Sequence, residues 1–516
     1  MNIKREPFII PKNNPDYLSI MAICLDIKTA YINDIKDLKS LLGDGPVLRT
    51  FFVMIVFVSA LASAAPTAYL PIGADNYLQN QVDHLFLLTS GNPMKKPYSI
   101  ASIDRALNKI EKTHSSLYQT VNNGLEPYRV SGSISRAGLV TRFSADEDMP
   151  LANQRGLSSE EYLQAFSEGS WRPNGYTVVQ AGVEYRADAS SLVPYNTFVG
   201  FSKGNLQLDL GFREHWYSPF SFSSQLISNN AEMGPSITLS TVSPIERFWQ
   251  ANVELFYTRL DKVQSGIRYI EQWYDGSPHL IGTHLSLSPT EYWTLGFNRM
   301  LQFGGGPRDV STGDIVKAFF DPAANDNSYS SEQRATEFGD QMASVTSSYQ
   351  VNLGMPIEIY AELAGEDTQG GSNLNLGNQA TNLGIFIPQF RDKFALRYEY
   401  NRHKTAWYTH HLYAFGNTNS AFVYGNYIAD QRDFGHGVPA SAHKATLDYM
   451  TSLKSGWRGS ILTHRNQDKA RYERAYEVVI EHRRNFNQHP IQLSFTVGSN
   501  VYSKNYSQIK ASIFWE

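Results

Sequence analysis

The chain is short of cysteine, of charge and of long apolar runs. Its 516 residues hold one cysteine, Cys24, which excludes a disulfide framework and a thiolate metal site. Charged residues make up 18%, against about 25% in soluble domains, and the 45 basic residues do not exceed the 49 acidic ones. Without a basic excess, nucleic acid is not expected as a partner. No apolar run reaches the roughly 20 residues that a membrane helix needs, and a mean hydropathy of -0.35 excludes a bundle of such helices. Aromatic residues are abundant instead, at 13%, and the 30 tyrosines outnumber the 28 phenylalanines and 8 tryptophans. Tyrosine suits a boundary with one apolar and one wet side. Spread along the whole length, these rings also exclude disorder.

Residues 51–61, FFVMIVFVSAL, follow Arg49 and precede Ala62-Ser63-Ala64. A basic start, a short apolar core and a small-x-small end predict a signal peptide over residues 47–64. Residues 1–46 then read as an extension ahead of the true start, with Val47 as initiator, and Cys24 leaves with them. N-terminal sequencing of the exported protein is expected to begin near Ala65; a start at Met1 would contradict this reading.

Residues 65–125 read as a small helical unit. Leu78, Val82, Leu85, Phe86 and Leu88 recur at helical spacing over residues 75–89. Ile103, Leu107, Ile110 and Leu117 predict a second helix over 100–118. A third, short helix is expected near 160–166, with Ser158 and Glu161 as a capping box.

From Tyr128 onward the period switches to two, which assigns residues 126–516 to an all-β unit. Leu206, Leu208, Leu210 and Phe212 oppose Gln207, Asp209, Gly211 and Arg213. Phe394, Leu396, Tyr398 and Tyr400 oppose Ala395, Arg397, Glu399 and Asn401. Ile509, Ala511, Ile513 and Trp515 share one face of the last segment. About nineteen such segments follow one another, at the length of tilted membrane strands. Alternation alone fits either a soluble sandwich or a membrane barrel. The connections decide between them: long at 300–343, 365–378 and 402–440, short at 354–356, 388–393 and 451–455. Long loops on one side and tight turns on the other predict an antiparallel transmembrane β-barrel in the outer membrane, with lipid as its outer partner. Residues 221–230 fit neither strand nor loop by pattern.

Candidate chemistry is sparse. Gly-x-Ser-x-Gly is absent, and Ser507 and Lys510, three apart on a strand, face opposite sides. Gly304-Gly305-Gly306 ends in Pro307, without the Lys-Ser/Thr of a phosphate loop. His410 and His411, with His403, His436 and His443 nearby, lack a ligand spacing and read as exposed loop histidines, so no metal or cofactor is expected. The loop 402–434 carries Trp407, Tyr408, His410, His411, Tyr413, Phe415, Tyr424 and Tyr427 among Asn, Thr and Gly. Such rings can stack on pyranose faces while polar neighbours take hydroxyls; equally, they can form the interfacial girdle or pack the loop on itself. In the loop 301–327, Arg308 and Lys317 could meet the carboxylates of an acidic polysaccharide, or pair with Asp309 or Asp321. A helix over 315–320, capped by Ser311 with Asp314, is expected there.

Arg213-x-x-Trp216-Tyr217-x-Pro219, followed by Ser223-x-Gln225-Leu226-Ile227-Ser228-Asn229-Asn230-Ala231, resembles the signature block of the Wzi capsule-assembly family. Further blocks follow in the family's order: Leu295-Gly296-Phe297-Asn298-Arg299, Gln302-Phe303-Gly304-Gly305, Asn325-Asp326-Asn327, Tyr360-Ala361-Glu362-Leu363-Ala364-Gly365-Glu366-Asp367 and Gly435-His436-Gly437. The resemblance implies a barrel of about eighteen strands, with the helical unit on its periplasmic side, that acts as a non-catalytic lectin for capsular polysaccharide. It also implies contact with capsule export machinery, and structural or luminal roles for Arg213, Trp216, Asn229, Asn230, Glu362 and Glu366. The chain departs from the family's Trp-Trp-Gly-Pro-Gly at Ser218 and Phe220, and from Gly-Arg-Pro at Gly306-Pro307-Arg308. A porin-like channel and an outer-membrane hydrolase are the alternative classes.

Overall fold

The computed structural model describes residues 65–516, except 90–92, 147–148, 309, 322–336, 370–371, 392, 405–406, 428–439 and 467–471. The expected extension and signal peptide, Asp309, the Asn325–Asn327 block and the His436 block lie outside the described residues.

Eighteen antiparallel strands form a closed barrel. The last, Asn505–Trp515, pairs with the first, Ser133–Asp146, from Tyr506 opposite Asp146 to Trp515 opposite Ala137. Each strand buries its polar face and exposes its apolar one. Gln207 and Asp209, like Arg397, Glu399 and Asn401, are buried in the interior, whereas Phe143, Leu192, Ile461, Ile480 and Phe495 are exposed. A soluble sheet does the reverse, so this wall is built to meet lipid. Among the described residues no helix is long and apolar enough to cross a membrane; the strands do the crossing.

Apart from the connection 242–251, turns at one end are two or three residues long, as at 175–176, 291–292, 353–355 and 453–454, while loops at the other run over 213–235, 260–278, 304–338 and 403–439. Exposed Trp171, Tyr176, Trp293, Tyr349, Trp457 and Phe486 ring the short-turn rim, the girdle expected at a lipid–water boundary. By the usual orientation the short-turn rim faces the periplasm.

The first helix, α1 (Asn76–Thr89), forms as expected. The second breaks: α2 (Ile100–Ile110) ends where the amides of Thr113 and His114 both return to the Ile110 carbonyl, and α3 (Ser115–Arg129) starts anew. The strand region therefore begins at Ser133, not near 126. Leu78, Val82, Leu85, Ile103, Leu107, Val121 and Leu125 form the helices' shared core. The polar face of α1 is tied to the barrel wall: Asp83 pairs with Arg397 at 2.9 Å, Asp75 with Arg483 at 2.8 Å, and Asn80 donates to Asp448 at 2.7 Å. All three wall residues lie in the halves of their strands nearest the short turns, which seats the helical unit at that end beside a cavity of about 980 Å3.

The short helix expected near 160–166 does not form. Ser158 Oγ accepts from the Glu160 amide in a turn, and the strand Leu163–Asn174 starts at once, because ladder pairing on both edges outweighs a local cap. By contrast α4 (Thr312–Phe320) carries its full capping box: Ser311 Oγ accepts from the Asp314 amide at 3.2 Å and Asp314 accepts from the Ser311 amide at 2.9 Å.

Candidate functional site

Part of the interior is filled by the chain itself, beside a polar cavity of about 390 Å3 lined by Arg142, Lys444, Arg458, Glu481 and Lys510. Residues 65–70 run through the lumen, where the Thr67 amide donates to Gln207 and the Tyr69 amide to Gln180, both at 2.8 Å. The Tyr69 ring lies 3.6 Å from the Arg213 guanidinium, which pairs with Asp209 at 2.6 Å and Glu254 at 3.0 Å. Glu254 also takes Lys95 Nζ and His215 Nδ1, each at 2.8 Å. Burial pulls the Lys95 and Lys96 ammonium groups below their ordinary range; Glu254, beside Lys95, pulls the other way.

Arg213 starts the loop 213–235, which turns inward instead of outward. Trp216, Tyr217, Phe220, Leu226 and Ile227 are all buried. Ser218 Oγ donates to Glu362 at 3.0 Å, and the amides of Ser221 and Phe222 donate to the two oxygens of Glu399. Residues 221–230, unplaced by pattern, are thus an inner loop whose backbone is satisfied by wall carboxylates. Asn229 and Asn230 serve the same packing: the Asn229 carbonyl accepts from Arg155, and Asn230 Nδ2 donates to the Val423 carbonyl at 2.8 Å.

The loop 403–427 folds down over this inner loop. Tyr408 hydrogen-bonds outward from both ends, its amide to Glu366 at 3.0 Å and its hydroxyl to the Gln225 carbonyl at 2.5 Å. Tyr424 OH donates to Gln302 at 2.9 Å, and Ser228 Oγ donates to the Gly425 carbonyl at 2.6 Å. A Cβ at Gly416, where φ is +57°, would collide with the Tyr408 carbonyl, so Gly416→Ala is expected to loosen this loop by about 1–3 kcal/mol. Limited proteolysis of the folded barrel would register it; wild-type resistance would count against it.

Most of the aromatic residues singled out in this loop therefore do not face solvent. Trp407, Tyr408, Tyr413 and Tyr424 are 1%, 2%, 3% and 0% exposed and pack the loop against the barrel interior. Tyr427 is half-buried, and Lys317 stands exposed on α4. Arg308 is buried, its guanidinium donating to the backbone oxygens of Arg268 and Glu337; it braces the loop 304–338 and does not present its charge to solvent. His410 is buried as well, contrary to an exposed pair, and both imidazoles converge on Glu337.

His403, fully buried, accepts from Asn426 Nδ2 at 3.1 Å, and burial pushes its pKa down to about 3. A detached loop would carry an ordinary imidazole titrating near 6.5. Docking is thus unaffected above about pH 6.5 and is expected to weaken by about 1.4 kcal/mol per unit as pH falls toward 3. Hydrogen exchange of the loop amides at pH 7 and 5, corrected for intrinsic rates, would reveal the effect, and His403→Gln should remove it.

The exposed extracellular features are different residues. The hairpin of Val263–Tyr269 and Gln272–Gly276 presents Trp273, 45% exposed, beside half-buried Tyr269 and Tyr274, with Arg268 5.9 Å from the Trp273 ring. Its other side is anchored at Ile267, which bridges to Tyr413. The local sequence Arg268-Tyr269-Ile270-Glu271-Gln272-Trp273-Tyr274 held the signal: three rings flanking a two-residue turn at Ile270-Glu271.

In sequence, the capsule assembly protein Wzi family matches residues 138–438. The chain belongs to the Wzi capsule-assembly family. No curated protein is significantly similar to it in sequence. Among solved structures, Escherichia coli Wzi superposes with a TM-score of 0.65 at 16% identity, over 87% of this chain and 99% of that one. That protein is described as an outer-membrane protein involved in group 1 capsule assembly and a carbohydrate-binding β-barrel. Pseudomonas aeruginosa OccK5 (OpdH) and Acinetobacter baumannii OccAB4 align at TM-scores of 0.43 and 0.40, with 11% and 8% identity over 74% of this chain and 97% and 96% of theirs. The Wzi signature block is the inner loop just described. Where this chain replaces the Wzi glycines, neither Ser218 nor Phe220 has a positive φ. Ser218 instead bonds Glu362, and Phe220 packs edge-on to Tyr360 at 4.6 Å. The departures add ties between inner loop and wall.

Proposed function

We propose that this Wzi-family barrel is a non-catalytic lectin that holds capsular polysaccharide at the cell surface through its extracellular loops. One observation carries the reading: residues 65–70, the inner loop and the folded-down loop obstruct the interior, while rings and charges remain exposed on the extracellular hairpin and α4. The carbohydrate binding of Escherichia coli Wzi supports it. Trp273, Tyr269 and Tyr274 would stack on sugar faces, and Lys317 would meet acidic groups. The buried rings Trp407, Tyr408, Tyr413 and Tyr424 would hold this surface in place, with Arg308 as their brace. The helical unit would face the periplasm and any capsule export machinery, in a mature chain starting at Ala65.

Deleting the gene is expected to release capsule into the medium while synthesis continues; unchanged surface retention would argue strongly against the proposal. An obstructed lumen also separates the lectin from a channel. Purified protein in planar bilayers is expected to give no regular conductance steps, and porin-sized steps would favour the channel.

A further inference from the structure

Three side chains with metal-binding atoms converge where two extracellular loops meet, and we propose that Glu337, His410 and His411 form a binding site for a divalent transition-metal ion of the Zn2+ class. The proposal does not depend on the sugar reading. Glu337 closes the loop 304–338 just before the strand Gly339–Asn352; the two histidines belong to the loop 403–427. His410 Nε2 lies 3.5 Å from Glu337 Oε1, and His411 Nε2 lies 2.9 Å from Oε2. One donor atom from each residue falls within 4.8 Å of the others. A tetrahedral ion with bonds of about 2.0–2.1 Å holds its donors about 3.3 Å apart, so small side-chain adjustments would admit one.

A second observation points to a cation. Glu337 Oε1 and His410 Nε2 belong to side chains only 0% and 2% exposed, they face each other, and neither has a hydrogen-bond partner. Buried polar atoms are rarely left so, and an ion between them would satisfy both. Ligation places the His410 proton on Nδ1, giving up a long 3.3 Å contact from the Leu412 amide. Arg308 is the opposing charge nearby, but Asp340 and Asp367 also offer donor atoms within 4.8 Å of one on His410, so carboxylates outnumber the guanidinium. Adjacent histidines share an ion poorly when their rings diverge; here the rings stack at 4.6 Å and both reach the same carboxylate. His411 is one-third exposed, leaving the fourth position open to water. Bound there, the ion would clamp the loop bearing α4 to the loop that closes the lumen.

The test uses tag-free full-length protein in detergent, stripped with a chelator and titrated with Zn2+. One equivalent is expected to bind, and Co2+ in its place should show the visible absorption of a four-coordinate ion. Glu337→Gln should abolish binding. His411→Gln, at the exposed ligand, should weaken it at least about tenfold while leaving the melting of the metal-free protein unchanged. No stoichiometric Zn2+ in the wild-type protein, or wild-type affinity in both variants, would overturn the site.

Discussion

Arg213→Ala is expected to cost about 3–5 kcal/mol and to release the inner loop from the wall. The guanidinium is fully buried between Asp209 and Glu254, beneath the Tyr69 ring. Taking it away leaves two buried carboxylates with reduced compensation. Glu254 keeps Lys95 and His215, whereas Asp209 keeps only the neutral donors Gln207 and Tyr69. Desolvated charge that has lost its partner is more expensive than the pair was worth. Urea unfolding of the detergent-solubilised barrel would measure the loss, and Arg213→Lys, which keeps charge but not the two-pronged geometry, should fall between. A cost below about 1 kcal/mol for alanine would mean that the network does not lock the loop.

Trp407→Ala should have an effect of similar size for a different reason. This ring is 1% exposed, in the cluster that joins the folded-down loop to Tyr217, Leu226 and Ile227. Deleting it leaves a large cavity, at about 3–5 kcal/mol. Because the loop is held to the interior by that cluster and a few hydrogen bonds, the loss should appear as loop detachment more than as unfolding of the wall. Protease cleavage within residues 407–427 should then become faster at unchanged barrel melting. Phe320, 78% exposed on α4, offers the control: Phe320→Ala should change stability by less than about 0.5 kcal/mol. Equal effects of the two substitutions would remove the distinction between packing and presented rings.

The wall was legible in the sequence because lipid imposes a strict rule: every second residue must be apolar wherever a strand crosses. Leu206 to Phe212 and Phe394 to Asn401 state that rule without help from distant residues. Ser311 and Asp314 were legible because a capping box is a local bargain among four residues. The direction of the loops was not. A loop of Trp, Tyr, Asn and Gly has the same composition whether it offers rings to a sugar or packs them into a lumen, and only the distant Glu366, Gln302 and Gln225 decide which. The convergence on Glu337 was hidden for the same reason, since His411 finds it 74 residues away. The inner loop defeated period counting because its hydrogen bonds go to wall carboxylates such as Glu362 and Glu399, with no ladder to impose a period. Family resemblance located that block and implied structural or luminal roles for Arg213, Trp216, Asn229 and Asn230, but not which wall carboxylates hold it.

The most direct test of the account is the affinity of the purified barrel for its host's own capsular polysaccharide, measured for the wild-type protein and for Trp273→Ala with Lys317→Glu. Both positions are exposed, so the double variant should melt as the wild type does. The account predicts saturable wild-type binding and a loss of at least about tenfold, roughly 1.4 kcal/mol, in the variant. No binding by the intact wild-type barrel, or equal binding by the variant, would contradict it.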